Sequence, residues 1–61
     1  MKTVKVNSKL DLNGYTITGE YNIVGQFFDN ISKKLNYVLN DGSDKFYIVE
    51  LGARELETIK H

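Results

Sequence analysis

Eight carboxylates, four tyrosines and a single histidine hold most of the chemical capacity of this 61-residue chain. General acid–base work needs two groups converging in a cleft. Asp41 and Asp44, close in sequence, bracket Gly42-Ser43. Asp is favoured in such turns because its carboxylate accepts hydrogen bonds from backbone amides two residues on. Asp41, Ser43 and Asp44 also offer too few oxygens for calcium, which takes about six or more. The only imidazole is His61, at the end of the sequence, and there is no cysteine. A disulfide framework, a cysteine zinc site and a histidine metal cluster are therefore excluded by inventory. The residues predict a non-enzymatic protein with no cofactor and no metal.

Binding chemistry is better supplied. Phe27-Phe28 followed by Lys33-Lys34 has the form of a basic-aromatic patch for single-stranded nucleic acid, in which bases stack on rings. Binding driven by counterion release needs several cations, and this patch offers two. The whole chain balances eight Lys plus Arg against eight Asp plus Glu, for a net charge of zero. That balance ranks a protein partner above a nucleic acid, and it removes the repulsion that keeps copies apart.

The elements that must position these residues read as β. Asn13-Gly14 is a strong signal for a two-residue type I′ hairpin turn. With that loop Leu12 meets Tyr15, Leu10 meets Ile17, Ser8 meets Gly19, Val6 meets Tyr21 and Val4 meets Ile23. The other face pairs Asp11 with Thr16, Lys9 with Thr18, Asn7 with Glu20 and Lys5 with Asn22. One face is apolar or small and the other polar, so residues 1–24 read as an antiparallel hairpin with one buried face. Gly19 in mid-strand marks a bend.

A second hairpin is read from Leu35–Leu39 and Phe46–Leu51, joined by the turn residues Asn40-Asp41-Gly42-Ser43-Asp44. A two- or four-residue loop puts Leu35, Tyr37 and Leu39 on one face with Phe46 and Ile48. The other face then carries Asn36, Val38, Tyr47 and Val49, an apolar patch that is either an interface or a second core face. Between the hairpins, Phe27, Ile31 and Leu35 recur at helical spacing, which supports a short helix over 26–35 in a ββαββ layout. The alternation of Ile23, Gly25 and Phe27 supports instead a strand end and loop over 27–32, and this reading is preferred. In the tail, Ala53–Ile59 suits one helical turn with Leu56 and Ile59 pointing inward.

The C-terminal half, through Tyr37-Val38-Leu39, Asp41-Gly42-Ser43, Lys45–Val49 and Ala53–Ile59, resembles small SH3-like β-barrels of the Tudor-like and KOW-like kinds, including small phage-encoded ones. The resemblance spans about residues 19–60. It implies an all-β, five-stranded antiparallel barrel with a C-terminal 3₁₀ turn, in which Leu56 plugs the barrel and Glu57–Lys60 forms a closing strand. It does not carry over the ligand chemistry of those families. Methyl-reading members use an aromatic cage with an acidic side chain, and Tyr37, Tyr47 and Phe28 are not brought into one pocket by the pattern. The paired Trp and the Pro of proline-binding SH3 grooves are absent from the chain.

The expectation is thus one small domain over 1–61 that binds a protein partner or a second copy of itself, as an adaptor or inhibitor. The runner-up is a weak nucleic-acid or ribonucleoprotein module. The expected contact residues are Tyr47, Val49, Val38, Phe28, Lys33 and Lys34. The bias to Lys, Asn and Ile is of the kind found in phage and mobile-element proteins. No apolar run approaches the roughly 18 residues of a membrane span and no signal segment follows Met1, so a cytoplasmic location is expected.

Overall fold

Val, Ile, Thr, Tyr and Phe, which fit a pleated and half-buried surface, recur in four segments of the chain, and all four are strands. The structure, a computed structural model, describes residues 2–59. Strands β1 (Thr3–Leu10), β2 (Thr16–Asp29), β3 (Lys34–Asn40) and β4 (Phe46–Glu50) are followed by the short helix α1 (Ala53–Glu57). The strands form one antiparallel sheet in the order β1-β2-β3-β4. The all-β expectation holds, and 26–35 is strand and turn, without the alternative helix.

The sheet curls around one face. Its core is Val4, Val6, Ile17, Tyr37, Leu39, Val49 and Leu51, with Tyr21, Ile23, Tyr47 and Ile59 packed against it. At one end of the sheet the Leu12 N–H donates to the Ile48 carbonyl at 3.1 Å, which ties the β1–β2 loop to the far edge strand. Among the described residues no β1–β4 ladder forms, so the four strands make one open sheet and a five-stranded closed barrel is not shown. The closing strand expected over 57–60 is not formed by residues 57–59, and Lys60 lies outside the described residues. Leu56 is 40% exposed and plugs nothing, and Leu51 and Ile59 supply the apolar contact expected of it. The tail turn is α, opening with Leu56 N–H to Gly52 O and tightening to a Thr58 N–H to Glu55 O bond at its end.

The first hairpin does not use a two-residue turn. Leu10 pairs with Thr16, leaving five residues in the loop. A type I′ turn needs positive φ at both central positions. Gly14 has φ 88°, but Lys33 is the one non-glycine with positive φ among the described residues. The loop is built on Asp11, whose buried Oδ1 accepts the Asn13 N–H at 3.0 Å and the Tyr15 N–H at 2.7 Å. Asp11 N–H also donates to the Tyr15 carbonyl, and Gly14 N–H to the Asp11 carbonyl. A side chain that offers the backbone these partners outcompetes the tighter turn.

A bulge between Val6 and Lys9 then shifts the register again, so that Val6 faces Gly19 and Val4 faces Tyr21. The Thr18 hydroxyl donates to the Val6 and Asn7 carbonyls across the bulge. Gly19, where a bend was expected, has φ 111°, a conformation that L side chains rarely adopt. On β2 the expected buried positions from Ile17 to Ile23 are kept. On β1 the parity reverses after Val6. Leu10 and Leu12 point outward, 69% and 71% exposed, and Lys9 joins the row of buried Ile17. There its Nζ lies 3.1 Å from Glu55 Oε1 of α1.

These placements give two stability expectations. Leu39 is fully buried, so Leu39→Ala costs about 2–5 kcal/mol in denaturant titrations, whereas Leu12→Ser stays within about 0.5 kcal/mol. A large cost at Leu12 would restore the two-residue turn. Glu55 is held below its ordinary value of 4.5, first by the hydrogen bond from Lys9. Its contribution is therefore present above that value and fades as pH falls through the lowered pKa. The acid slope of melting temperature should be shallower in Lys9→Met than in the parent.

Candidate functional site

β2 is longer than its neighbours, and this mismatch builds the site. Its ladder with β1 ends at Thr3↔Asn22, extended by Ile23 N–H to the Lys2 carbonyl. The β3–β4 ladder ends at Asn36↔Glu50. Past Ile23 the β2 strand has only β3 beside it, paired from Gly25↔Val38 to Asp29↔Lys34, while β4 flanks β3 as far as Asn36. The hairpin of residues 25–35 is thus an arm that runs past β1 throughout and past both edge strands from Phe28 to Leu35.

Its tip is a four-residue loop, Asn30–Lys33. The Asp29 carboxylate accepts the Ile31 N–H at 2.9 Å, and the Asp29 carbonyl accepts the Lys33 N–H at 2.7 Å. Lys33 takes φ 61°, the left-handed conformation that ends loops of this length. The Ile31 amide and the Ser32 hydroxyl hold the Asp29 carboxyl below the ordinary carboxylate range.

The arm carries apolar side chains on every side. Phe28 stands opposite Leu35 on the core-side face, and Phe27 stands opposite Asn36 on the other. Phe27 is 42% exposed, Phe28 53%, Leu35 39% and Ile31, at the tip, 96%. Isolated exposed apolar residues are ordinary, but a contiguous group is not. The charge around them is small, because Lys34 Nζ lies 3.4 Å from Glu50 Oε2. Lys33 is left as the arm's one cation without an ion pair among the described residues.

Of the six residues expected at the contact surface, the fold brings Phe28, Lys33 and Lys34 together on the arm. The other three lie elsewhere. The expected patch of Tyr47, Val49 and Val38 does not exist, because the β3–β4 loop has five residues and pairs Asn40 with Phe46. An odd loop reverses the facing of β4. Val49 pairs with Tyr37 inside the core at 3% exposure, and Tyr47 pairs with Leu39 on the same face. Val38 remains on the opposite face, half-buried beside Ile48 and Gly25. Asn40 sets this loop, its amide donating to the Ser43 and Lys45 carbonyls at 2.8 Å while its Oδ1 accepts the Gly42 N–H.

Ile31 and Leu35 are the surface residues that sequence reasoning missed. Leu35 reads as one face of a paired hairpin, and Ile31 as part of the strand end and loop over 27–32 or of the alternative helix. The available signal was length, since the apolar run through Ile23–Phe28 outlasts the segment before Asn13 that has to pair with it.

A second feature lies at the opposite end of the sheet. The Tyr47 ring meets Tyr15 and Tyr21 edge-on, at centroid distances of 6.4 and 5.8 Å. The Tyr21 hydroxyl donates to the Thr18 carbonyl. Burial, and then the negative charge of Asp41, push the Tyr47 hydroxyl above its ordinary pKa. Geometry of this kind fixes β4 against the β1–β2 loop. Among the described residues no group of three His, Cys, Asp or Glu converges to hold a metal, and no helix is long and apolar enough to cross a membrane.

The arm depends on Asp29. Asp29→Ala should expose the amides of Phe28 and Leu35 to faster hydrogen exchange while Leu39 stays protected. Because the Asp29 pKa is lowered, the same local loosening appears in the parent as pH falls through that pKa, and is absent above the ordinary value of 3.8. Uniform loss of protection across the sheet would contradict this assignment.

No protein-family profile, no curated protein and no solved structure matches the chain, so the arm's geometry and chemistry carry the functional reading.

Proposed function

We propose that this chain is a small non-enzymatic protein-binding module, an adaptor or inhibitor, whose contact surface is the arm of residues 25–35. One observation carries the reading. Four large apolar side chains are exposed on one hairpin, Phe28, Ile31 and Leu35 past both edge strands and Phe27 on the other face. Aromatic side chains at the centre of an interface supply much of its binding energy, provided a partner desolvates them. The nucleic-acid reading is weaker for a stated reason. Lys34 is held by Glu50, and one remaining lysine gives a shallow counterion-release term.

The SH3-like likeness is part of the same proposal. The bond from Leu12 to Ile48, together with the contact of Thr58 Oγ1 with the Lys5 amide at 3.3 Å, supports it by drawing the sheet edges and the chain end together. In such a scaffold the core end holds the fold and the arm is left for recognition. The Phe28→Glu variant should keep the parent's melting temperature within a few degrees and lose association.

The direct test uses a photo-crosslinking phenylalanine analogue, placed at Phe28 on the arm or at Asp44 on the opposite end. The expected result is protein adducts from position 28 and none from position 44. Equal labelling from both sites, or salt-sensitive retention of a thymidine oligonucleotide by the parent, would sink the proposal.

A further inference from the structure

The distal half of β2 has a free edge. From Val24 to Asp29 the strand has β3 on one side and no strand on the other, among the described residues. We propose that this edge pairs antiparallel, about a twofold axis, with the same segment of a second copy of the chain; the proposal rests on the reading that the arm is the contact surface, and names what occupies it.

Three observations point to a second copy. The edge is unguarded by charge. Sheet edges exposed to water are commonly protected by lysine, by proline or by a bulge that twists the strand away. From Tyr21 to Phe28 the chain has no charged residue and no proline. A bulge does occur, between Ile23 and Gly25, but it lies at the start of the free segment. From Gly25↔Val38 onward the ladder to β3 is regular.

The segment is also self-complementary, as an isologous interface requires. Phe28 lies on the core-side face of the sheet and Phe27 on the other. A twofold axis normal to the sheet keeps each face continuous across the junction, so each face receives a phenylalanine from both copies. Cross-strand aromatic neighbours of this kind stabilise an antiparallel pair. The one charge in the segment, Asp29, sits at its end. Antiparallel pairing places the two Asp29 carboxylates at opposite ends of the joint, where they do not oppose each other.

Finally, the net charge of zero gives two copies no long-range repulsion to overcome. Backbone hydrogen bonds along the added ladder supply attraction that does not depend on side-chain identity. The joint is small, so dissociation falls in the weak range, on the order of 100 µM.

Sedimentation equilibrium on the full chain tests this directly. The parent's apparent mass should climb from 7.0 kDa toward twice that value as concentration rises to about 1 mM. Deuterium exchange at the amides of residues 25–29 should slow over the same range. The double variant Gln26→Lys, Phe28→Lys, which brings like charges together across the axis, should stay at 7.0 kDa throughout with an unchanged melting temperature. Ile31→Ser removes the tip and leaves the edge, so it should still pair. A parent that remains monomeric at the highest concentration, or a double-lysine variant that pairs as the parent does, overturns the proposal. The crosslinker at Phe28 keeps the two readings apart. Adducts of twice the chain mass support self-pairing, adducts with other proteins alone overturn it while leaving the module reading intact, and no adduct of any kind removes the module reading itself.

Discussion

The carboxylate of Asp11 governs more of this fold than any other side chain. It is buried, and its Oδ1 accepts two amides of the loop that follows β1. Those bonds fix the loop at five residues, and an odd loop sets the facing of the residues paired across it as far as the bulge between Val6 and Lys9. Lys9 and Asp11 turn inward and Leu10 and Leu12 outward. The same loop delivers the Leu12 amide to Ile48 and the Tyr15 ring to Tyr47. Removing a hydrogen-bonded, buried acceptor leaves amides without partners, at about 1–3 kcal/mol each. In a chain this short, where about 60% of the unfolded surface is buried on folding, that is a large share of the total. The second carboxylate oxygen of Asp11 is buried with no hydrogen-bond partner among the described residues. The turn geometry is therefore kept at a polar cost.

Strand identity was legible from composition, because β-branched and aromatic runs separated by Gly, Asn, Asp and Ser leave few other choices. The inward residues of β2, and Val4 and Val6 on β1, followed from simple alternation. The strand-and-turn reading of 26–35 followed from an alternation read through Ile23, Gly25 and Phe27, although the bulge at Val24 turns Gly25 and Phe27 to the face opposite Ile23. What alternation does not carry is loop parity. Asn13-Gly14 and Asp41-Gly42 both look like tight turns, yet each belongs to a five-residue loop, because Asp11 and Asn40 just before them bond several backbone groups at once. These are choices between competing local hydrogen bonds separated by about a kilocalorie. A one-residue error then propagates along all of β4, and along β1 as far as the bulge between Val6 and Lys9, which restores the facing of Val6 and Val4.

That propagation explains why half of the candidate surface moved. Tyr47 and Val49 were placed outside by an even loop and are inside by an odd one. Phe28, Lys33 and Lys34 survived because their exposure does not rest on parity. On the arm both faces of the hairpin meet solvent, so either register would leave them accessible. Leu35 was lost by the opposite logic, as a residue that pairs regularly but pairs where no third strand follows.

The proposed contact surface and the core thus lie at different points along the length of one strand. Up to Ile23, β2 faces β1 and feeds the core. After the bulge at Val24 it has one neighbour, and its stability comes from the Asp29 turn, the ladder to β3 and the ion pair from Lys34 to Glu50. A two-stranded hairpin is marginal by itself in water. Here it is anchored, because Asn36 and Tyr37, where the arm joins the sheet, are buried beside β4. Exposing Phe27, Phe28, Ile31 and Leu35 gives up burial that a small core needs, at about 25 cal/mol for each Å² left in water. A chain with no cysteine to form a disulfide has that burial to recover elsewhere, and contact with another chain, as proposed, would recover it. The length mismatch between β1 and β2 is thus the feature from which the arm's exposure follows, and on which its proposed use as a contact surface rests.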